Sequence, residues 1–327
     1  MRTVIITIPF LLFFACGPEC KNENAIASTP VSIEVERLEA AFFSQDSPEG
    51  IENLLEEYRE FSRLFLDSDQ YPTDSILAAK IFRLIQNPSI DTLYNEAVSE
   101  YSDFDPIRED LEMAIGKMTT LFPETRVPKI QTTVSGLYKD LFISDSLILI
   151  GLDFFIGPKA TYKPLEIPGY VLKRYNKEHL SSIVVKFLAG NQVYKGKSSS
   201  LLSEMVDFGK TYYLASRLVP CTQDSVWLGY TSRDMEVIDE NEAVIWANLL
   251  ENEVLYETNH ITKRRFLGER PNVYEISQEC PGRIGAWVGW RIVESYMKNN
   301  EVSIEELLAD TDNEKIFRLS GYKPQSR

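Results

Sequence analysis

The hydrophobic period of the sequence changes twice along the chain, and this feature limits the fold more than any other. Apolar residues recur at helical spacing over about 47–122, form β-rich runs over about 129–157, and return to helical spacing over about 176–310. The pattern therefore predicts an α+β fold that is predominantly helical, with a small central sheet flanked by helices.

Local signals place several elements within these blocks. Residues 32–38 alternate between polar and apolar side chains, as a half-buried strand does. Ser47 followed by Pro48 is typical of a helix start. Apolar spacing predicts one continuous helix over 233–256, and Glu242 and Glu253, eleven residues apart, are expected to share a face of it.

The N-terminus differs in composition from the rest of the chain. Residues 1–15 combine a basic start with an apolar run that is too short to span a bilayer, and Cys16 follows directly. This arrangement predicts a lipoprotein signal peptide with Cys16 acylated as the first mature residue. Residues 16–30 lack apolar periodicity and are expected to form a lipidated tether, whereas residues 31–327 are expected to form a single globular domain.

The charge of the chain excludes one class of partner. Its 49 acidic residues exceed its 34 basic residues, which gives a net charge of −15. Nucleic acid is not an expected partner, because binding to phosphates depends on clustered Lys and Arg. A hydrophobic fraction of 44% also excludes intrinsic disorder.

Export to an oxidising compartment raises the question of disulfide bonds. Cys221 and Cys280 both lie in turn-like sequence beside proline, so a bond between them is one prediction, and unpaired packing thiols are the alternative. No Cys-x-x-Cys pair is present, which argues against a zinc cluster.

Candidate functional residues are few. The chain has only two histidines, His179 at a predicted helix start and His260 in a predicted loop, and it lacks a Gly-x-Ser-x-Gly motif. We therefore predict no catalytic, metal-binding or cofactor-binding residues and no cofactor. Gly282, Gly285 and Gly289 are spaced to form a helix face for close packing. The candidate interaction surface comprises Glu242, Trp246, Arg270, Arg283, Trp287 and Trp290.

Six segments, in order, together resemble the gliding-motility lipoprotein B family of Bacteroidetes. They are SIEVERL at 32–38, IGLDFFIG at 150–157, GKTYY at 209–213, NEAVIW at 241–246, FLGERP at 266–271 and PGRIGAW at 281–287. The resemblance implies a cell-envelope lipoprotein required for gliding, in organisms whose gliding depends on type 9 secretion. Its implied partners are other gliding or secretion proteins of the envelope, and its membrane contact is the lipid anchor at Cys16.

The same layout is similar to zinc-peptidase-like domains, in which a helix bears His-Glu-x-x-His and a later helix supplies a Glu ligand. The corresponding helix here, residues 204–212, contains no histidine, and the later acid would be Glu242. The similarity implies a zincin-like scaffold that lacks the catalytic motif and is not an active peptidase.

Three functions remain open from the sequence. The favoured one is a non-catalytic binding or scaffold protein that faces the periplasm, since residues 22–23 are not part of a dense acidic run. The second is a metal-dependent hydrolase that uses an unconventional set of Asp207, Glu242 and His260. The third is a periplasmic module that binds sugar or peptidoglycan through Trp246, Trp287 or Trp290.

Overall fold

A computed structural model describes residues 26–324, and it confirms the predicted α+β fold with a small sheet flanked by helices. The strands are β1 (Val35–Arg37), β2 (Lys129–Thr133), β3 (Leu141–Ile143) and β4 (Leu147–Gly151). They form a sheet of order β1-β2-β4-β3, in which β1, β2 and β4 are parallel and β3 is antiparallel to β4. The chain leaves β4 through a 3₁₀ helix at Leu152–Phe155.

The first helical block lies between β1 and β2. It consists of α1 (Leu38–Phe43), α2 (Pro48–Glu57), α3 (Arg59–Leu64), α4 (Asp74–Ile85), α5 (Pro88–Glu100) and α6 (Asp105–Leu121). The predicted helix start is confirmed, since the side chain of Ser47 accepts a hydrogen bond of 3.2 Å from the backbone N–H of Gly50.

The second helical block follows the sheet. It consists of α7 (Gly169–Leu172), α8 (Lys177–Gly190), α9 (Leu201–Leu218), α10 (Asp224–Leu228), α11 (Ser232–Glu240), α12 (Glu242–Glu251), α13 (His260–Leu267), α14 (Ile284–Asn299), α15 (Ile304–Ala309) and α16 (Asn313–Ser320). No helix within residues 26–324 has the length and hydrophobicity needed to cross a membrane.

The single helix predicted over 233–256 is wrong. Asn241 separates α11 from α12, and Glu253 has a positive φ of 53°. The side-chain amides of Asn241 and Asn252 each donate to the carbonyl four residues earlier, a local hydrogen bond by which Asn competes with helical backbone pairing. Glu242 and Glu253 therefore do not share one helix face.

The sheet separates two hydrophobic cores. Leu147 and Leu149 on β4 face the smaller core, which α1 to α4 cover. Ile148 and Ile150 on the same strand face the larger core, which contains α5, α6 and the second helical block. This alternation follows from the two-residue period of a strand, and it explains why β4 is apolar throughout.

Helices α9 and α14 pack at the centre of the larger core. A Cβ added at Gly289 on α14 would lie 3.1 Å from Cα of Met205 on α9, and closer still to the carbonyl oxygen of Met205. Gly285 lies against Phe266 and Leu267 of α13 and the side chain of Met205 on α9, whereas Gly282 precedes the helix and lies against the carbonyl of Arg270. The predicted close packing along the glycine face is confirmed for the two glycines within the helix.

Candidate functional site

A cleft opens in the second helical block between α8, α9 and the segments that precede α8 and α14. Its volume is about 450 Å³, and we call it the cationic cleft. Its charged lining residues are Arg174, Lys186, Arg283 and Glu269, and its larger apolar and aromatic lining residues are Val171, Tyr175, Ile183, Phe187, Phe208 and Tyr212.

One carboxylate bridges two arginines at the edge of the cleft. Arg174 donates two hydrogen bonds to the carboxylate of Glu269, at 3.1 and 2.8 Å. The Nε atom of Arg283 lies 3.4 Å from the same carboxylate. The side chains of Arg174 and Arg283 are only 13% and 15% exposed, so both guanidinium groups are held in place and neither is free in solvent.

The other cationic contacts of the cleft tie it to the end of α10. Lys186 Nζ donates to the carbonyl of Trp227 at 2.6 Å, and Arg283 donates to the carbonyl of Leu228. These are the last carbonyls of a helix that ends at Gly229 with a φ of 65°, where cations are favoured by the helix dipole. Arg283 and Lys186 therefore stabilise the fold as well as line the cleft.

Arg283 adopts an unusual backbone conformation for its position. It is the residue just before α14 and has a φ of 61°, a left-handed value that side-chain-bearing residues rarely adopt. The preceding Gly282 lies against the backbone of Arg270 and donates its N–H to the carbonyl of Pro271 at 3.3 Å. This packed turn points the Arg283 side chain toward Tyr212, Leu228 and Glu269.

The cationic environment alters the titration of the groups in the cleft. Burial, followed by repulsion from Arg283 and Arg174, lowers the pKa of Lys186 well below its usual value, and Glu269 only partly opposes this. Burial also lowers the pKa of His179, whose Nδ1 lies 2.9 Å from the side-chain oxygen of Asn176. Both shifts disfavour the charged forms of Lys186 and His179, so the positive charge of the cleft comes from Arg174 and Arg283, which share the carboxylate of Glu269.

Two aromatic side chains remain open to solvent at the cleft. Phe187 on α8 is 57% exposed and Phe208 on α9 is 42% exposed. Exposed aromatic rings beside fixed arginines are typical of binding surfaces, where aromatic and Arg side chains are enriched.

The structure contradicts much of the candidate interaction surface. Trp246, Trp287 and Trp290 are 7%, 1% and 1% exposed, because all three pack into the larger core. These three tryptophans therefore offer no surface to a partner or a sugar, and a glycan-binding site cannot be built on them. Glu242 accepts a hydrogen bond of 2.9 Å from the hydroxyl of Tyr322. Arg270 pairs with Glu275 at 2.9 Å, and of the six predicted residues only Arg283 lines the cleft.

The set Asp207, Glu242 and His260 does not form a metal site. Within residues 26–324 no group of three His, Cys, Asp or Glu side chains is placed to hold a metal ion. Asp207 is buried and accepts from Asn313 Nδ2 at 2.7 Å, a structural role. His260 is exposed and is the first residue of α13, so its predicted position in a loop is wrong by one residue.

The predicted bond between Cys221 and Cys280 is wrong. Cys280 is a free thiol that is 1% exposed in the larger core, whereas Cys221 is disulfide-bonded and so has a different partner. The turn-like sequence around Cys280 forms a packed bend in which its Sγ contacts the carbonyl of Pro281. The predicted lipidation site Cys16, the signal peptide and most of the tether lie outside the described residues.

Sequence reasoning missed three residues of the cleft, namely Arg174, Lys186 and Glu269. A signal was present for Lys186, which interrupts the apolar run 183–188 within a helix. No signal was present for the others, because the four charged residues come from segments that only the tertiary fold brings together.

The fold and the cleft define a mostly helical α+β protein with a cationic cleft. The sequence profile of the family described as "Gliding motility protein GldB" matches residues 19–324, and the chain therefore belongs to this family of gliding motility lipoproteins. Comparisons with curated proteins and with solved structures find no significant match.

Proposed function

We propose that this protein is a lipid-anchored, non-catalytic component of the gliding machinery that acts by binding other proteins of the cell envelope. The family match carries the proposal, because it extends over residues 19–324 and so includes both cores and the cleft. Association with type 9 secretion and a periplasmic orientation are parts of the same proposal.

The cationic cleft supports a binding role. Its arginines are fixed by ion pairs and backbone hydrogen bonds, and its aromatic residues are exposed beside them. A surface that is ordered before a partner arrives loses little conformational freedom on binding.

We also propose that α9 corresponds to the zinc-binding helix of a peptidase-like scaffold. Its two carboxylates, Glu204 and Asp207, support a structural role for the helix here. Glu204 forms an ion pair with Lys263, and Asp207 accepts hydrogen bonds from Asn313 and from the backbone N–H of Gly196. Both groups are thus engaged by the fold itself.

The experiment is gene deletion followed by complementation. We expect the deletion strain to lose gliding on agar and the wild-type gene to restore it. A Cys16→Ala variant should leave the membrane fraction and fail to restore gliding, with immunoblots confirming equal amounts of protein. Normal gliding of the deletion strain would overturn the proposed function.

A further inference from the structure

We propose that the cationic cleft binds an acidic peptide segment of a partner protein, in which one carboxylate lies next to a large apolar side chain. The inference names what the binding role recognises, and it therefore rests on the function proposed above.

Charge is the first observation behind this inference. Arg174, Lys186 and Arg283 line the cleft together with the single carboxylate of Glu269. Arg174 and Arg283 share that one carboxylate, and charges gathered in a recess are costly unless they are paired, so a peptide carboxylate would supply a second partner. The surplus is local, because the whole chain carries a charge of −15.

Glu269 shows how a carboxylate is held in this cleft. Arg174 donates one hydrogen bond to each of its carboxylate oxygens, and the Nε atom of Arg283 lies 3.4 Å from Oε1. Its side chain is 47% exposed, so this carboxylate lies toward the mouth of the cleft and can be displaced or joined by another. The Nζ atom of Lys186 donates to the carbonyl of Trp227 and lies over the ring of Tyr212.

The apolar lining of the cleft favours a ligand that carries an apolar group beside its carboxylate. Phe187 and Phe208 project from neighbouring helices on the same cleft and remain largely exposed. A large apolar side chain beside the carboxylate would cover these rings and remove apolar surface from water, which favours binding.

The titration of Lys186 agrees with this arrangement. The charged groups that face it are Arg174, Arg283 and Glu269, with His179 also lining the cleft. The two arginines lower its pKa together with burial, so a bound carboxylate would favour its protonated form.

A peptide fits these observations better than a lipid headgroup. The site is a recess of about 450 Å³. At physiological ionic strength charges act over roughly 8 Å, so a short segment entering the recess meets mainly the local cations. An anionic bilayer would instead meet the surrounding face of an acidic protein.

The binding experiment uses the full-length lipoprotein in neutral detergent and two end-blocked peptides. One is Gly-Phe-Glu-Phe-Gly and the other has Gln in place of Glu. We expect calorimetry to give at least tenfold tighter binding of the Glu peptide, and this preference to fall as salt is raised. Equal affinity for the two peptides, or no binding of either, would overturn the inference.

Three variants separate recognition from a merely structural role. Arg174→Gln should weaken binding of the Glu peptide about fivefold or more, whereas Glu269→Gln should strengthen it, because both arginines are then freed. Lys173→Gln, at the exposed neighbouring position, is the matched control and should bind like the wild type. A parallel loss of affinity in Arg174→Gln and Glu269→Gln would show that the ion pair only supports the fold, and would overturn the inference.

Two further outcomes complete the test. Arg174-dependent binding to phosphatidylglycerol vesicles without binding of the Glu peptide would assign the cleft to lipid and overturn the inference. Loss of gliding on gene deletion, combined with no peptide binding, would leave the proposed function standing and remove only this inference. Peptide binding combined with normal gliding of the deletion strain would leave this inference standing and overturn the proposed function.

Discussion

The carbonyl oxygen of Gly289 on α14 occupies the space in which a side chain at Gly209 on α9 would begin. A Cβ at Gly209 would also lie 2.9 Å from the backbone nitrogen of Trp290. The contact is reciprocal, because Gly289 lies against the backbone of Met205. The two helices therefore meet backbone to backbone, without side chains between them.

Replacing Gly289 by Ala should strongly destabilise the protein. The added methyl group would meet backbone atoms of Met205, which cannot rotate away as a flexible side chain can. Overpacking in a core costs about 1–3 kcal/mol and occasionally more, and we expect a loss of about 3 kcal/mol in the free energy of unfolding. Denaturant unfolding followed by circular dichroism measures it.

Gly169→Ala is the matched control for this experiment. A Cβ at Gly169 in α7 would have no atom within 4 Å. Its effect should therefore lie within about 1 kcal/mol of zero, with a small gain from the reduced freedom of the unfolded chain. Equal stabilities of the Gly289→Ala and Gly169→Ala variants would contradict the backbone contact.

Replacing Asn313 by Ala should remove one of the two hydrogen-bond donors of the buried carboxylate of Asp207. Asn313 Nδ2 donates to Asp207 at 2.7 Å and to the carbonyl of Ser203 at 2.8 Å. Both Asn313 and Asp207 are buried, so we expect a loss of about 2–3 kcal/mol of stability. Asn95→Ala, on the exposed face of α5, serves as control and should change stability by less than about 0.7 kcal/mol. A change at Asn313 no larger than that control would refute the structural role of Asp207.

Lys186→Met should change how stability depends on pH. Because the folded state lowers the pKa of Lys186, the unfolded chain binds more protons between that lowered value and 10.5. The free energy of unfolding of the wild type, relative to Lys186→Met, should therefore rise with pH across this window. Thermal or denaturant unfolding at several pH values measures the difference, and a constant difference would count against the lowered pKa of Lys186.

Lys315 provides a comparison of opposite sign. Its hydrogen bond to Asp310, at 2.7 Å, raises its pKa above 10.5. The stabilising contribution of Lys315 is therefore fully present below 10.5 and is lost as pH rises through the raised value. The stability of the wild type relative to Lys315→Met should consequently fall with pH in that upper range, where the relative contribution of Lys186 no longer rises.

The two described cysteines should differ in reactivity. Burial raises the pKa of Cys280 to about 12, so the folded protein presents almost no reactive thiolate there at pH 7. Maleimide should modify Cys280 only after denaturation, without reductant, whereas Cys221 should require both denaturant and reductant. Peptide mass mapping distinguishes the two sites. Labelling of Cys280 in the native protein would contradict its burial.

The long helices were predictable from sequence because their apolar period is sustained over several turns. The helical spacing predicted over about 47–122 and 176–310 is confirmed, and these blocks contain the long helices α6 and α9. The sequence did not predict β3, because a strand of three residues leaves no periodic signal. It also did not predict the helix breaks at Asn241 and Asn252, because each break involves one local hydrogen bond, which leaves no periodic signal either.

The main error at the site was to place buried tryptophans in the candidate interaction surface. Trp287 and Trp290 lie on α14, whose sequence is apolar on nearly every side between Ile284 and Val293, a pattern typical of a buried helix. Tryptophan is enriched in interfaces and in cores alike, so residue type alone did not separate the two. The cleft itself was beyond sequence reasoning, since Arg174 and Glu269 meet only through the tertiary fold.

The parallel pairing of β1 with β2 determines the order in which the molecule can assemble. Val35 pairs with Ile130, so the first strand finds its neighbour only after roughly a hundred further residues have been synthesised. Helices α1 to α4 also lack the β4 side chains that complete their core until that point. Strand β1 and helices α1 to α4 therefore emerge first and become fixed late, and their unpaired edge and apolar faces are open to aggregation during that interval.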